Sequence, residues 1–191
     1  MIVARCAALG IAVALLLSML NARPAFAHRP VIVKSRSLKS APVEISEPEI
    51  SWAFYGSMEG EPHYYKIVSP VPFELYVNIL VPDLDPDGAP IAAHDMSFEV
   101  YRGGEEAAPM FTALGSASVW SRYYEKYGRD HYYMGPECDT KAGEGIYWVR
   151  VFNGTNRGRY ALAIGKREKF TFFSLVGAIV RARSLDRWFF K

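Results

Sequence analysis

The feature that most constrains this chain is a pair of alternating runs on either side of one turn cluster, Gly145 to Gly165. In the first run Ile146, Trp148 and Arg150 alternate with Tyr147, Val149 and Val151; in the second Tyr160, Leu162 and Ile164 alternate with Ala161 and Ala163. Aromatic and β-branched residues with a period of two fit a pleated, half-buried surface, so both runs are expected to be strands. Asn153-Gly154 and Arg157-Gly158 lie between them and supply residues that tolerate positive φ. The sequence therefore predicts a β-hairpin.

The same pattern recurs upstream. Trp52-Ala53-Phe54-Tyr55-Gly56 and His63-Tyr64-Tyr65-Lys66-Ile67-Val68 read as two short strands. After Pro70 and Pro72, the residues Phe73, Leu75, Val77, Ile79 and Val81 share one face of a longer strand. Burial of that face contributes about 1.5–3 kcal/mol per large side chain, which marks it as central. Met96 to Tyr101 forms the next strand. Trp120, Tyr123, Tyr124 and Tyr127 fall at helical spacing, which predicts one or two turns of helix over Val119–Tyr127, closed by Gly128. Strands at roughly ten-residue intervals with Pro/Gly turns predict an all-β fold, an antiparallel β-sandwich with a short helical insertion and a C-terminal amphipathic helix.

The chain divides into four parts. Residues 1–27 have a basic start at Arg5, an apolar run from Ala7 to Leu20, and a small-x-small site at Ala25-Phe26-Ala27. These are the parts of a removable secretory signal. Residues 28–50, with Pro30, Pro42 and Pro48, are expected to be an extended leader capable of short edge pairing only. Residues 51–165 are the sandwich, and 166–191 a basic amphipathic tail. Loss of the signal removes Cys6 and leaves Cys138 as the only cysteine, so no intramolecular disulfide can form. A buried thiol is the plain expectation, with an intermolecular link or metal ligation as alternatives.

Removal of Arg5 and Arg23 with the signal leaves 20 basic against 20 acidic residues. The tail carries seven basic residues against Glu168 and Asp186, a net +5, so the body from His28 to Gly165 is −5. This argues against nucleic acid as a partner and directs attention to a protein or an anionic membrane surface at the tail.

The order of an aromatic strand ending in Tyr55-Gly56, then Tyr64-Tyr65-Lys66-Ile67, then Leu75-Tyr76-Val77, and a closing Gly145-Ile146-Tyr147 to Arg159-Tyr160-Ala161-Leu162 unit carries a resemblance. It resembles the jelly-roll modules beside secreted peptidases, the pre-peptidase C-terminal type, and a family of uncharacterised secreted bacterial and archaeal proteins. The resemblance spans residues 51–165 and implies an accessory binding or stabilising module rather than an enzyme.

Four groups of residues are candidates for function. His28, exposed by signal cleavage, offers an amine and an imidazole nitrogen and could hold copper with His63, His94 or His131 as second ligand. Ala25-Phe26-Ala27-His28 is similar to the start of secreted copper proteins with a histidine brace, in the copper-resistance and polysaccharide mono-oxygenase families. Asp83-x-Asp85-x-Asp87-Gly88 matches the front half of a calcium loop, although His94 stands where the closing glutamate belongs; a solvated turn is the plain alternative. Trp120, Tyr123, Tyr124, Tyr127, Tyr132 and Tyr133, with His131, could stack on a glycan or grip a peptide, or else pack over an open end of the sandwich.

The fourth group lies in the tail. Phe170–Val180 is too short to span a bilayer. Phe172, Leu175, Val176 and Ile179 form one helical stripe with Arg181 opposite, while Arg183 and Arg187 fall back toward the stripe, followed by Trp188. Such a helix lies in a membrane interface, docks on a partner, or packs back on its own sandwich. No nucleophile motif, paired-cysteine metal site or phosphate-binding glycine loop is present, so no catalytic residue is expected. The functional expectation is a secreted, periplasmic or envelope-associated, non-catalytic binding protein, with copper or carbohydrate binding as the rivals.

Overall fold

The computed structural model describes residues 29–33, 37–84, 94–104, 107–126, 129–168 and 189–190. The signal, His28, Asp85, Asp87, Tyr127 and the tail from Lys169 to Trp188, with its expected helix, lie outside the described residues. Eleven strands are described: β1 (Arg29–Ile32), β2 (Val43–Ile45), β3 (Trp52–Glu59), β4 (His63–Ser69), β5 (Phe73–Pro82), β6 (Ser97–Arg102), β7 (Phe111–Ala113), β8 (Ser121–Glu125), β9 (Asp130–Ala142), β10 (Gly145–Phe152) and β11 (Arg157–Ile164).

They form two facing sheets, a six-stranded one in the order β1-β3-β11-β5-β9-β8 and a five-stranded one in the order β2-β4-β10-β6-β7. Between them, Leu75, Val77, Ile79, Leu162 and Ile164 meet Tyr65, Ile67, Phe98, Val100, Tyr147, Val149 and Val151. All of these are at most 1% exposed, so the alternation read in the sequence is spent on one continuous core.

Three expectations are corrected. The run Gly145 to Gly165 does form two strands, but they are not a hairpin. β10 pairs with β4 and β6, whereas β11 pairs with β3 and β5, so Asn153–Asn156 carries the chain from one sheet to the other. Both strands bury one face, and two buried faces are satisfied as well across the sandwich as side by side. The second correction concerns Val119–Tyr127, where the structure has the strand β8 in place of a helix. Tyr123 stands opposite Tyr132 and Tyr124 opposite His131, and the Tyr124 and His131 rings lie 4.8 Å apart. Cross-strand aromatic pairing therefore overrides a four-residue helical periodicity.

The third correction is that the sheets are mixed. β1 runs parallel to β3, and β2 parallel to β4. Both lie at sheet edges, where Pro30 and the flanking Pro42 and Pro48 cost no ladder bond in a central strand.

Two glycines are required by their surroundings. A Cβ on Gly56 would stand 2.8 Å from the Tyr160 ring, and one on Gly165, whose φ is +75°, would meet the Ile50 carbonyl at 2.3 Å.

Candidate functional site

Asn153 is the organising residue of one end of the sandwich. Its Oδ1 accepts from the backbone N–H groups of Thr155 and Arg157, both at 3.2 Å. Its Nδ2 donates to the Arg157 carbonyl at 2.8 Å and to Asp95 Oδ1 at 3.2 Å. An asparagine side chain that closes its own loop is a turn device. Here it also ties the β10–β11 connection to the residues leading into β6.

A cleft of about 360 Å³ opens beside this knot. Val81, Pro82 and Leu84 form an apolar wall, and Asn153, Arg157, Arg159, His94 and Asp95 supply polar groups. Arg159 donates to the Phe189 carbonyl at 3.0 Å, which fixes one cationic group at the rim. Such a cleft, with a few polar groups converging on an apolar wall, is the usual form of a small-ligand site.

His94 is half-buried against two rings, with centroids 5.0 Å from Trp120 and 4.5 Å from Tyr133. Burial holds its pKa below the ordinary histidine value, against the opposing charges of Asp83 and Asp95. Its Nε2 is shielded from solvent and makes no hydrogen bond among the described residues.

The residues singled out from sequence are distributed unevenly. Trp120 is 7% exposed, donates from Nε1 to the Gly115 carbonyl at 2.9 Å, and lies over Gly135, where any Cβ would strike its ring. It packs behind His94 and does not line the cleft. Tyr132 and Tyr133 are also buried, at 3% and 5%. Tyr123 and Tyr124 remain exposed, on β8 at the edge of the six-stranded sheet. The expected aromatic platform is thus split, with Trp120, Tyr132 and Tyr133 presenting no open face.

Asp83 is buried and paired with Arg122, Nε to Oδ2 at 3.3 Å, and Arg122 also donates to the Tyr133 hydroxyl at 3.2 Å. The first carboxylate of the expected calcium loop is therefore committed to the β8–β9 hairpin. Among the described residues no group of three or more His, Cys, Asp or Glu side chains converges.

Among the described residues His63, His94 and His131 do not converge on one point, and His28 lies outside them. His63 is 1% exposed and shares a 2.7 Å hydrogen bond between Nδ1 and the Tyr160 hydroxyl. His94 lines the cleft, and His131 stacks on Tyr124. Cys138 is a buried free thiol, as its plain reading expected, and burial raises its pKa.

Sequence reasoning missed Asn153, Arg157 and Arg159 as site residues. Asn153-Gly154 and Arg157-Gly158 were legible as turn chemistry, but only the crossing between sheets brings them against His94 and Asp95.

No family model matches the chain, and no curated protein sequence matches it. Among solved structures, it is similar to the pre-peptidase C-terminal domain of collagenase from Bacillus anthracis. The match has 11% identity and a TM-score of 0.39, and covers 64% of this chain and 91% of that one. The likeness is one of overall β-sandwich form.

Proposed function

We propose that the protein is an exported, non-catalytic binding module whose ligand enters the cleft at the Asn153 end of the sandwich. The observation that carries this reading is the convergence of His94, Asn153, Arg157 and Arg159 opposite Val81, Pro82 and Leu84. Two guanidinium groups favour a carboxylate or sulfate, while the asparagine and imidazole suit hydroxyls. An apolar wall accepts the flat face of a sugar ring. The ligand class that fits all three is an acidic oligosaccharide.

The signal features of residues 1–27 support export, and the proposed site of action is the periplasm or cell envelope. The −5 charge of the body does not oppose an anionic ligand here, because the cleft itself is lined by two arginines against Asp95.

Titration calorimetry with uronic-acid and neutral oligosaccharides tests the proposal. Binding of the acidic set is expected, weakened at least tenfold by Arg157→Ala and by Asn153→Ala. Equal affinity for neutral and acidic sugars, or affinity unchanged in both variants, would remove the cleft as the site.

A further inference from the structure

Asn153 is followed by Gly154, and that pair carries a chemistry that ligand binding does not use. In an opened chain the backbone nitrogen of Gly154, with no Cβ beside it to hinder approach, can attack the Asn153 side-chain Cγ. The new bond joins that nitrogen to Cγ, and the nitrogen gives up its proton to water. The bond from Cγ to Nδ2 breaks, and Nδ2 takes up a proton and leaves as ammonia. Water then opens the resulting succinimide ring at one of its two carbonyls, to aspartate or to isoaspartate. Water is the only co-reactant, and Gly154 and Thr155 are exposed to it.

The folded loop opposes this step at both ends of the side chain. Oδ1 accepts from the N–H groups of Thr155 and Arg157, both at 3.2 Å, and from the Thr155 hydroxyl at 3.3 Å. Those donors polarise Cγ, but they also turn the side chain toward residues beyond Gly154. Nδ2 donates to the Arg157 carbonyl at 2.8 Å and to Asp95 Oδ1 at 3.2 Å. A departing nitrogen needs a proton donor beside it, and both of these neighbours accept. Main-chain bonds close the same loop: Asn156 N–H donates to the Asn153 carbonyl at 3.2 Å, and Gly60 N–H to the Asn156 carbonyl at 2.7 Å.

Conversion also removes what the loop is built on. An aspartate oxygen in the place of Nδ2 would face the Arg157 carbonyl and the Asp95 carboxylate, two acceptors at hydrogen-bonding distance with no proton between them. Isoaspartate adds a methylene to the main chain as well, in the short crossing that joins β10 to β11.

We propose that Asn153 is a guarded deamidation site. The folded protein holds its amide away from Gly154, and a chain in which this loop has opened converts there to aspartate or isoaspartate and does not rebuild the knot. Opening of one end of the sandwich is thereby recorded as a permanent covalent change. Asn78 and Asn156 are followed by Ile79 and Arg157, whose side chains hinder the same attack, so they serve as controls within the chain.

Incubation of the full chain at mildly alkaline pH, native and in urea, tests the assignment. Peptide mass spectrometry reads conversion at each asparagine, and an isoaspartate methyltransferase reports the second product. Conversion at Asn153 is expected to be about a hundredfold slower in the native protein than in urea, since several hydrogen bonds must break together first. In urea it should outpace Asn78 and Asn156 by about tenfold or more, and Gly154→Ala should remove that excess. The fold has room for this variant, because the nearest atom a Cβ there would meet is Asp95 Oδ2 at 3.9 Å. Asp95→Ala, which frees Nδ2 from one acceptor, should speed conversion in the native protein and leave the rate in urea unchanged. Asn153→Asp, which reproduces one product, should unfold at a temperature lower by several degrees.

Equal rates in the native protein and in urea overturn the guard. Conversion in urea no faster at Asn153 than at Asn78 and Asn156 overturns the site. Wild-type thermal stability in Asn153→Asp overturns the claim that the knot is lost. None of these readouts uses a ligand, so the outcome is independent of the proposed function.

Discussion

Two histidines of this protein sit against tyrosines in ways that look alike in composition and differ in consequence. His63 lies in the interior, with the Tyr160 hydroxyl 2.7 Å from its Nδ1 and 2.8 Å from the Tyr65 hydroxyl, all three residues at most 1% exposed. Gly56 leaves the space that the Tyr160 ring fills. His94 lies at the rim against Trp120 and Tyr133, in the lining of the cleft. The interior group is a polar network that links β4 to β11 across the two sheets, which helps hold them in one register. The rim group stands in the lining of a cleft, so the same residue types serve stability in one place and the proposed recognition in the other.

The largest test of this contrast is Trp120→Ala. It removes the ring between His94 and Gly135 and should cost about 3–5 kcal/mol by chemical denaturation, as other buried tryptophans do. It should also weaken ligand binding, since His94 loses the ring it packs against. Tyr160→Phe should cost about 1–3 kcal/mol, because one hydroxyl serves both His63 and Tyr65. Ligand affinity in that variant should be unchanged; a change would show that the interior network and the cleft are coupled, and would break the comparison.

A smaller effect concerns pH. The folded pKa of His94 is lowered by burial, so the folded state binds fewer protons than the unfolded chain. Its contribution to stability is full above the unfolded value of about 6.5 and is lost as pH falls below it. The wild type should therefore lose more thermal stability between pH 7.5 and 5.5 than His94→Gln does, on the order of a few degrees. Parallel curves for the two chains would show that His94 is not held neutral by the rim. The smallest effect is chemical. Burial raises the Cys138 pKa, so iodoacetamide should label it slowly in the native protein and rapidly in denaturant.

Much of the framework was legible in the chain. The faces of β5, β10 and β11 follow directly from Phe73-Leu75-Val77-Ile79-Val81, Tyr147-Val149-Val151 and Tyr160-Leu162-Ile164. Period-two burial is a local property, which any single strand displays. Pairing is not local. Asn153-Gly154 marks a reversal in the sequence equally well whether the next strand returns beside the last or crosses to the other sheet. The candidate site was less legible, because Arg157 and Arg159 carry no motif and acquire a role only opposite Pro82 and Leu84.

The β8 region shows why a short periodicity misleads. Trp120, Tyr123, Tyr124 and Tyr127 fit a helix on spacing, but the partners that decide the matter, His131 to Tyr133, lie beyond a turn in which Arg129 takes a φ of 61°. A strand edge with a paired neighbour satisfies backbone groups that a two-turn helix would leave largely unpaired.

What the amino-acid order determined alone was the all-β class, the inward faces of the long strands and the burial of Cys138. Tertiary structure decided which strands are neighbours, that the edges run parallel, that Trp120 is buried and not an open platform, and where a cleft opens. The physical reason is range: burial alternation is written within a few residues, whereas strand pairing and clefts are settled by contacts between segments far apart in sequence.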